Sequence, residues 1–342
     1  MGIKSRIEAS SFYPILRKML KVRECRARKQ RLLQEARVKF EEEHPTHGSF
    51  KDYKLALKKH FVSYSEYMHQ YEFWRLTEAE RNQFISRNAL GLFYYDIPWK
   101  IKQKFWDKVE FLNLFSLFIY REWLCARHVS FEVFSSFVLN KECIAKPMDS
   151  CCGAGIFKIF SKDCADLRQL YARCVKNDVL IEECIVGCGE LQSFHPRSLN
   201  SIRVVTVSDN SQSIVFGAFF RMGMGDSVVD NAHAGGLFAQ INIETGEIES
   251  EGIDTNGHRY VEHPDSHRRI KGFIIPRWEE IKSVCIQASR VIPENPITGW
   301  DVVINSCGQI EFIEGNHGPD FDLMQSPLKV GVKERLRKYV RL

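Results

Sequence analysis

Gly299-Trp300-Asp301-Val302-Val303-Ile304 and Glu311-Phe312-Ile313-Glu314-Gly315-Asn316 are two β-rich runs joined through Asn305-Ser306-Cys307-Gly308, a turn sequence. Read as a hairpin, they put Asp301 and Glu314 on adjacent strands. Asn316, two residues beyond Glu314, falls on the same side of an extended chain. Two carboxylates and an amide oxygen converging on one patch make a hard-oxygen site, the kind Mg²⁺ takes when phosphate supplies the remaining ligands. An ordinary surface hairpin accounts for Glu311 but leaves Glu314 among apolar neighbours without a partner.

Upstream, Ile144-Ala145-Lys146-Pro147 reads as a strand. It runs into Met148-Asp149-Ser150-Cys151-Cys152-Gly153-Ala154-Gly155 and a second strand, Ile156-Phe157-Lys158-Ile159. A lysine at a strand end offers a point charge to phosphate, and loop amides can close over the same anion. A strand follows the loop where nucleotide-binding loops of other classes have a helix, so the pattern predicts a hairpin flap. Leu180-Ile181-Glu182-Glu183-Cys184-Ile185 is an apolar strand ending in paired acids. Taken alone, it is an ordinary strand end.

The same alternation extends outward. A helix is expected at 163–176. From Ile202 the chain reads as antiparallel β, with 202–207 and 214–220 flanking one turn and 238–243 and 247–248 another. A helix near Trp278–Val291 precedes the last hairpin. Residues 46–125 read as helical over 49–71 and 102–123, with Thr77-Glu78-Ala79-Glu80 fitting a capping box.

Charge is unevenly spread. The 342 residues carry a net +5, while residues 1–45 hold twelve Lys/Arg against six Asp/Glu, an excess of +6, so the remainder is nearly neutral. Leu16, Met19, Leu20, Leu32, Leu33, Ala36 and Phe40 recur there at helical spacing, with Pro14 near the helix start. The segment is a solvated helical hairpin, or a basic face for an anionic lipid surface or polyanionic glycan. Nucleic acid is not expected, because no aromatic platform accompanies the arginines. No apolar run approaches the about 18 residues of a spanning helix, and no secretory or myristoylation pattern opens the chain. Eleven cysteines, an odd number, read as reduced thiols. The expected location is the cytoplasm, with a peripheral position at the inner membrane face as an extension.

These features, in this order, resemble the ATP-grasp superfamily, and most nearly its branch associated with sugar transfer and polysaccharide loci. The resemblance spans roughly residues 90–330. It includes Asp107-Lys108-Val109-Glu110-Phe111, Arg121-Glu122-Trp123, Ala145-Lys146-Pro147 and Glu182–Ile185. It continues through Leu199–Thr206, Arg221-Met222-Gly223 and Asp230-Asn231-Ala232-His233-Ala234-Gly235-Gly236, and closes on the Asp301 and Glu314–Asn316 groups. The implied fold is α+β, two subdomains sandwiching ATP, behind a helical N-terminal region. Its division would be a basic helical region (1–95), the first part of the ATP-grasp domain (96–145), a lid with the glycine flap (146–190), and an antiparallel core carrying the metal site (191–342).

The resemblance assigns Lys108 and Lys146 to the nucleotide phosphates, and Ser150, Gly153 and Gly155 to the flap. The backbone of Glu182, Glu183 and Ile185 would hold adenine, and Glu190 the ribose. Asp301, Glu314 and Asn316 would take one or two Mg²⁺. Arg203 and Arg221 would face the transferred phosphate, unless they form a cross-strand ion pair. Asp230, Asn231, His233, Gly235 and Gly236 would shape the substrate site. The implied activity is ATP-dependent ligation of a carboxylate to an amine through an acyl-phosphate, with a sugar acid or amino acid as substrate. Phosphorylation of a hydroxyl and non-catalytic nucleotide binding are the alternatives. Two departures stand out. The first ~100 residues read as helical where many ligases have a parallel α/β domain, and Gly299 stands where many have arginine.

Overall fold

A computed structural model describes residues 13–149, 155–160, 166–209, 211–226 and 235–341, with side chains from residue 17 onward. The chain forms two compact units. One comprises residues 1–97 together with 320–342, the other residues 98–319. Residues 320–342, contiguous in sequence with the β-rich core, thus belong with the N-terminal helices.

In the first unit, helix α1 (Tyr13–Glu43) and helix α2 (Phe50–His60) pack through Ala36, Tyr53, Ala56 and Leu57. Tyr67, Tyr71, Phe73 and Phe84 complete this aromatic core. The expected helix over 49–71 stops at His60, where Phe61 adopts left-handed backbone, and a π-helical turn follows at Glu66–Gln70. The capping box is present: Thr77 and Glu80 exchange side-chain and backbone bonds at the start of Glu78–Arg81. Helix α3 (Arg87–Tyr95) follows. The C-terminal stretch is tied in by Gln325, whose side-chain amide accepts from Ile85 N (3.0 Å) and donates to Ile85 O (2.8 Å) and Tyr71 Oη (3.0 Å).

In the second unit, helices α4 (Trp99–Trp106) and α5 (Lys108–Leu114) replace the single helix expected over 102–123. Asp107 ends the first and caps the second by accepting from Val109 N and Glu110 N. Trp123 opens a strand, β1 (Trp123–Cys125), which corrects the helical reading of its surroundings. Strands β2 (Cys143–Pro147), β3 (Phe157–Ile159) and β4 (Val179–Glu183) complete a four-stranded antiparallel sheet ordered β1-β4-β2-β3. Helices α6 (Phe131–Asn140) and α7 (Leu167–Lys176) contribute Phe134, Val138 and Cys174 to its core.

The larger sheet has seven antiparallel strands ordered β11-β10-β5-β6-β7-β8-β9. They are β5 (Ser201–Ser208), β6 (Ser213–Met222), β7 (Leu237–Ile241), β8 (Gly252–Ile253), β9 (Arg259–Tyr260), β10 (Ile297–Ile304) and β11 (Ile310–Asn316), with helix α8 (Trp278–Ser289) against β5 and β6. Residues 247–248 make isolated bridges to Ile274 and Ile241 in place of the expected strand. The link from the small sheet runs along the β10–β11 turn, where Gly187 bridges Asn305 and Ser306 N donates to Val186 O (2.7 Å). Among the described residues no helix is long and apolar enough to cross a membrane.

Candidate active site

The quoted hairpin forms. Asp301 lies opposite Glu314, and Gly299 opposite Asn316. The register shifts between Asp301/Glu314 and Val302/Phe312, leaving Ile313 as a bulge. The bulge restores phase: Glu311 opposite Val303, Glu314 opposite Asp301 and Asn316 opposite Gly299 all share one face. Trp300 and Phe312 stack on the other, ring centroids 5.0 Å apart. Gly315 is required there, since a Cβ would lie 2.7 Å from Phe111 and 3.2 Å from Trp300.

Asp301 is buried and doubly paired. It accepts from Nε and Nη2 of Arg203 (2.8 Å for Nη2) and from Nη1 of Arg221 (2.8 Å). Burial alone would raise its pKa, but the two guanidiniums outweigh that and hold the carboxyl well below the usual range. Arg203 and Arg221 thus make the cross-strand ion pair anticipated as the alternative to phosphate binding. Glu314 behaves oppositely. Its enclosing surroundings and the Asp301 carboxylate both push its pKa up, although part of the side chain stays open to solvent. Asn316 Nδ2 lies 3.4 Å from Glu314 Oε1.

Two lysines approach from the small-sheet side. Lys108, at the start of α5, donates to Pro147 O and Met148 O, both at 3.0 Å, and its charge is felt by Glu314 and Lys146. Burial lowers its pKa. Lys146 pairs with Glu182, which is fully buried on β4. Arg121 makes the other half of that arrangement. Its guanidinium donates to Glu182 (Nε 2.7 Å), Glu311 (Nη1 2.9 Å), Phe312 O (2.7 Å) and Ile313 O (3.2 Å). Burial would raise the Glu182 carboxyl, but Lys146 and then Arg121 bring it down to about 2.

Arg121 thus ties β4 of one sheet to β11 of the other. Its partner Glu311, read from sequence as an unremarkable surface acid, is buried, which corrects that reading. It also accepts the backbone amides of Tyr120 (3.1 Å) and Arg121 (2.9 Å). Sequence reasoning missed this role because nothing local to Glu311 indicates a partner 190 residues away.

The amides of Glu183 and Cys184 already donate to Glu122 O (2.9 Å) and Glu142 O (2.8 Å), so carbonyls and Ile185 are what this strand end can offer a base. Glu190 is exposed on a one-turn helix, Gly189–Gln192. Gly155 has φ +72° where the flap rejoins β3, and Gly235 has φ +95°, just before Gly236 and β7. Ser150, Cys151, Cys152 and Gly153 of the flap, and Asp230, Asn231 and His233, lie outside the described residues.

Among the described residues no group of three or more His, Cys, Asp and Glu side chains is arranged as a metal cage. Two carboxylates and an amide, with the upward push on Glu314 from Asp301, fit an ion that takes its other oxygens from phosphate and water. Such an ion would share Asp301 with two guanidiniums.

Residues 132–341 match the sequence model for sugar-transfer associated ATP-grasp proteins. The chain belongs to that ATP-grasp family. No curated protein sequence matches it. Similar solved structures include ATP-grasp ligase PsnB with minimal precursor, Mg and ADP (TM-score 0.44, 15% identity, 74% of this chain and 66% of that one). They include an RiPP-associated ATP-grasp ligase from Chryseobacterium gregarium with ADP and a leader and core peptide (0.44, 10%, 71% and 62%). The D-alanine-D-alanine ligase from Coxiella burnetii is a third (0.40, 9%, 76% and 66%). The ATP-grasp chain described here spans just under two thirds of the length of these solved proteins.

Proposed function

We propose that this ATP-grasp protein is an ATP-dependent carboxylate–amine ligase, acting on a sugar acid or attaching an amino acid in cell-surface polysaccharide synthesis. The observation that carries the reading is the face shared by Asp301, Glu314 and Asn316. It is backed by Arg203 and Arg221 and approached by Lys108 and Lys146. Five cations (these four and Arg121) against four carboxyls (Asp301, Glu314, Glu182 and Glu311) suit a site that takes an anionic polyphosphate.

Free carboxylate does not acylate an amine, because an oxide-like oxygen is a poor leaving group. Attack of a carboxylate oxygen on the terminal phosphorus of ATP expels ADP and leaves an acyl-phosphate. The amine then attacks the acyl carbon and expels phosphate, giving its proton to the medium. Lys146 and Lys108 would neutralise the nucleotide phosphates, and Arg203 and Arg221 would meet the charge on the transferring phosphoryl oxygens. Mg²⁺ held by Asp301, Glu314 and Asn316 would act as a Lewis acid on phosphate oxygens. The Glu182–Ile185 strand end would receive adenine and Glu190 the ribose, with residues 149–155 closing over the phosphates. The substrate would meet the segment 230–236.

The test is ADP release with sugar acids crossed against amino acids and amino sugars, with product mass measured. A ligase releases ADP and free phosphate only when both a carboxylate and an amine are present. Phosphate retained on a hydroxyl product would make the protein a kinase. Nucleotide binding without turnover over the whole screen would make it a binding module.

A further inference from the structure

Helix α1 carries a face that ligase chemistry does not use. Its inner side is occupied. Arg17 donates to the carbonyls of Tyr95 and Ile97, Lys21 pairs with Asp96 at 2.5 Å, and Arg28 bonds Asn88. Further along, Leu32, Leu33, Ala36 and Phe40 join the aromatic core. The outer side of the first half is different. Lys18, Val22 and Arg26 follow one another at intervals of four, as do Met19 and Arg23, and all are exposed. Met19 is 66% exposed, Leu20 46% and Val22 45%. Between Tyr13 and Gln34 there is one acid, Glu24, against eight Lys/Arg, and setting aside the inner Arg17, Lys21 and Arg28 leaves five.

We propose that this face is a docking surface for an anionic lipid bilayer. A cationic face alone would suit any polyanion. A soluble acidic polymer, however, gains nothing by covering Met19, Leu20 and Val22, whereas the boundary between headgroups and acyl chains takes apolar side chains and counter-charge together. A second copy of the chain is disfavoured, because a two-fold contact would set Lys18, Arg23 and Arg26 against the same residues. The helix binds in the plane of the interface, its apolar side chains at the acyl boundary and its cations at the phosphates, and so brings the protein to a membrane reversibly.

The experiment is co-sedimentation of the full chain, without nucleotide or substrate, with vesicles of phosphatidylcholine alone and of phosphatidylcholine with about a third phosphatidylglycerol. Its outcome is therefore independent of whether the ligase reading holds. Binding is expected only to the anionic vesicles, and is lost as salt rises from about 0.1 M to about 0.5 M. Each unit of positive charge brought to such a surface strengthens binding about fivefold, so Arg23→Glu with Arg26→Glu, which loses two cations and adds two anions, should weaken it by roughly six-hundredfold. Met19→Ser with Val22→Ser should weaken it by roughly tenfold while keeping the charge. Reversal of the exposed Lys51 and Lys271 to Glu serves as the control and should change it little. Equal binding to neutral vesicles, no binding to anionic vesicles at low salt, or loss in the Lys51/Lys271 control as large as in the Arg23/Arg26 variant would overturn the proposal. So would a dimer in solution that Met19→Ser with Val22→Ser dissolves, because a second copy would then cover the face.

Discussion

Replacing Arg121 by methionine tests the junction between the two sheets. The guanidinium is buried with two carboxylates and two main-chain carbonyls. Methionine fills similar space but supplies neither charge nor donors. Breaking a buried ion pair by removing one partner costs about 3–5 kcal/mol, chiefly because the charge left behind is uncompensated. The pKa of Glu182 gives a second measure. Burial would raise it from an ordinary 4.5, yet Lys146 and Arg121 bring it down to about 2, a net shift worth about 3 kcal/mol after the cost of burial is overcome. A lowered carboxyl contributes stability that is present above its unfolded pKa and is lost as pH falls through its folded pKa. The wild-type protein should therefore lose that contribution between about pH 5 and pH 2. In Arg121→Met the penalty should be largest near pH 7 and shrink toward pH 4, where Glu182, having lost one of its two cations, can take up a proton. Urea unfolding followed by tryptophan fluorescence at several pH values measures both effects. Arg121→Lys, which keeps the charge but loses the fork, should fall between. Glu182→Gln with Glu311→Gln in the methionine background should recover part of the loss. A penalty below about 1 kcal/mol at pH 7, or one that does not change with pH, would refute the electrostatic account and leave Arg121 a packing residue.

Glu314→Gln should abolish ADP release while leaving the unfolding midpoint near that of the wild type; full turnover would remove Glu314 from the metal site. Lys146→Ala should weaken ATP binding by at least tenfold in calorimetry, since under the proposed assignment it would delete a phosphate cation and would leave Glu182, a buried anion, beside the nucleotide; unchanged affinity would refute the assignment. Asp322 is buried beside Asp320, and burial first and that neighbour second raise its pKa to about 7. A raised carboxyl contributes stability that is present at low pH and lost as pH climbs through the folded value. Asp322→Asn should therefore gain stability relative to wild type between pH 5 and pH 8, by at most about 4 kcal/mol, and show little difference at pH 4; a constant offset would show that Asp322 does not titrate there.

Much of the second unit was legible because its signals are local. Strand alternation and turn residues located the last hairpin to within three residues, and the strand–loop–strand around Lys146 and the β5–β6 pair to within two. The Thr77–Glu80 capping box was readable for the same reason, since its partners lie three residues apart. Helix boundaries over 49–125 were not. Phe61 leaves the helix by adopting left-handed backbone, and Asp107 can both stop one helix and cap the next, so apolar spacing alone runs through both breaks.

The sequence by itself determined the family, through an ordered set of motifs over roughly residues 90–330, and the antiparallel hairpin that carries the oxygen donors, whose strands and turn are set by a period of two within some twenty residues. It could not determine the charge state of those donors. Asp301 is held ionised by Arg203 and Arg221, from strands 98 and 80 residues earlier, while Glu314 is pushed the other way by its enclosure and by Asp301 across the hairpin. Nor could it show that Arg121 joins Glu182 to Glu311, or that residues 320–342 pack with the N-terminal helices. Each of these depends on which distant groups share a desolvated volume. Electrostatic effects grow steeply as water is removed, and only tertiary structure decides from where it is removed.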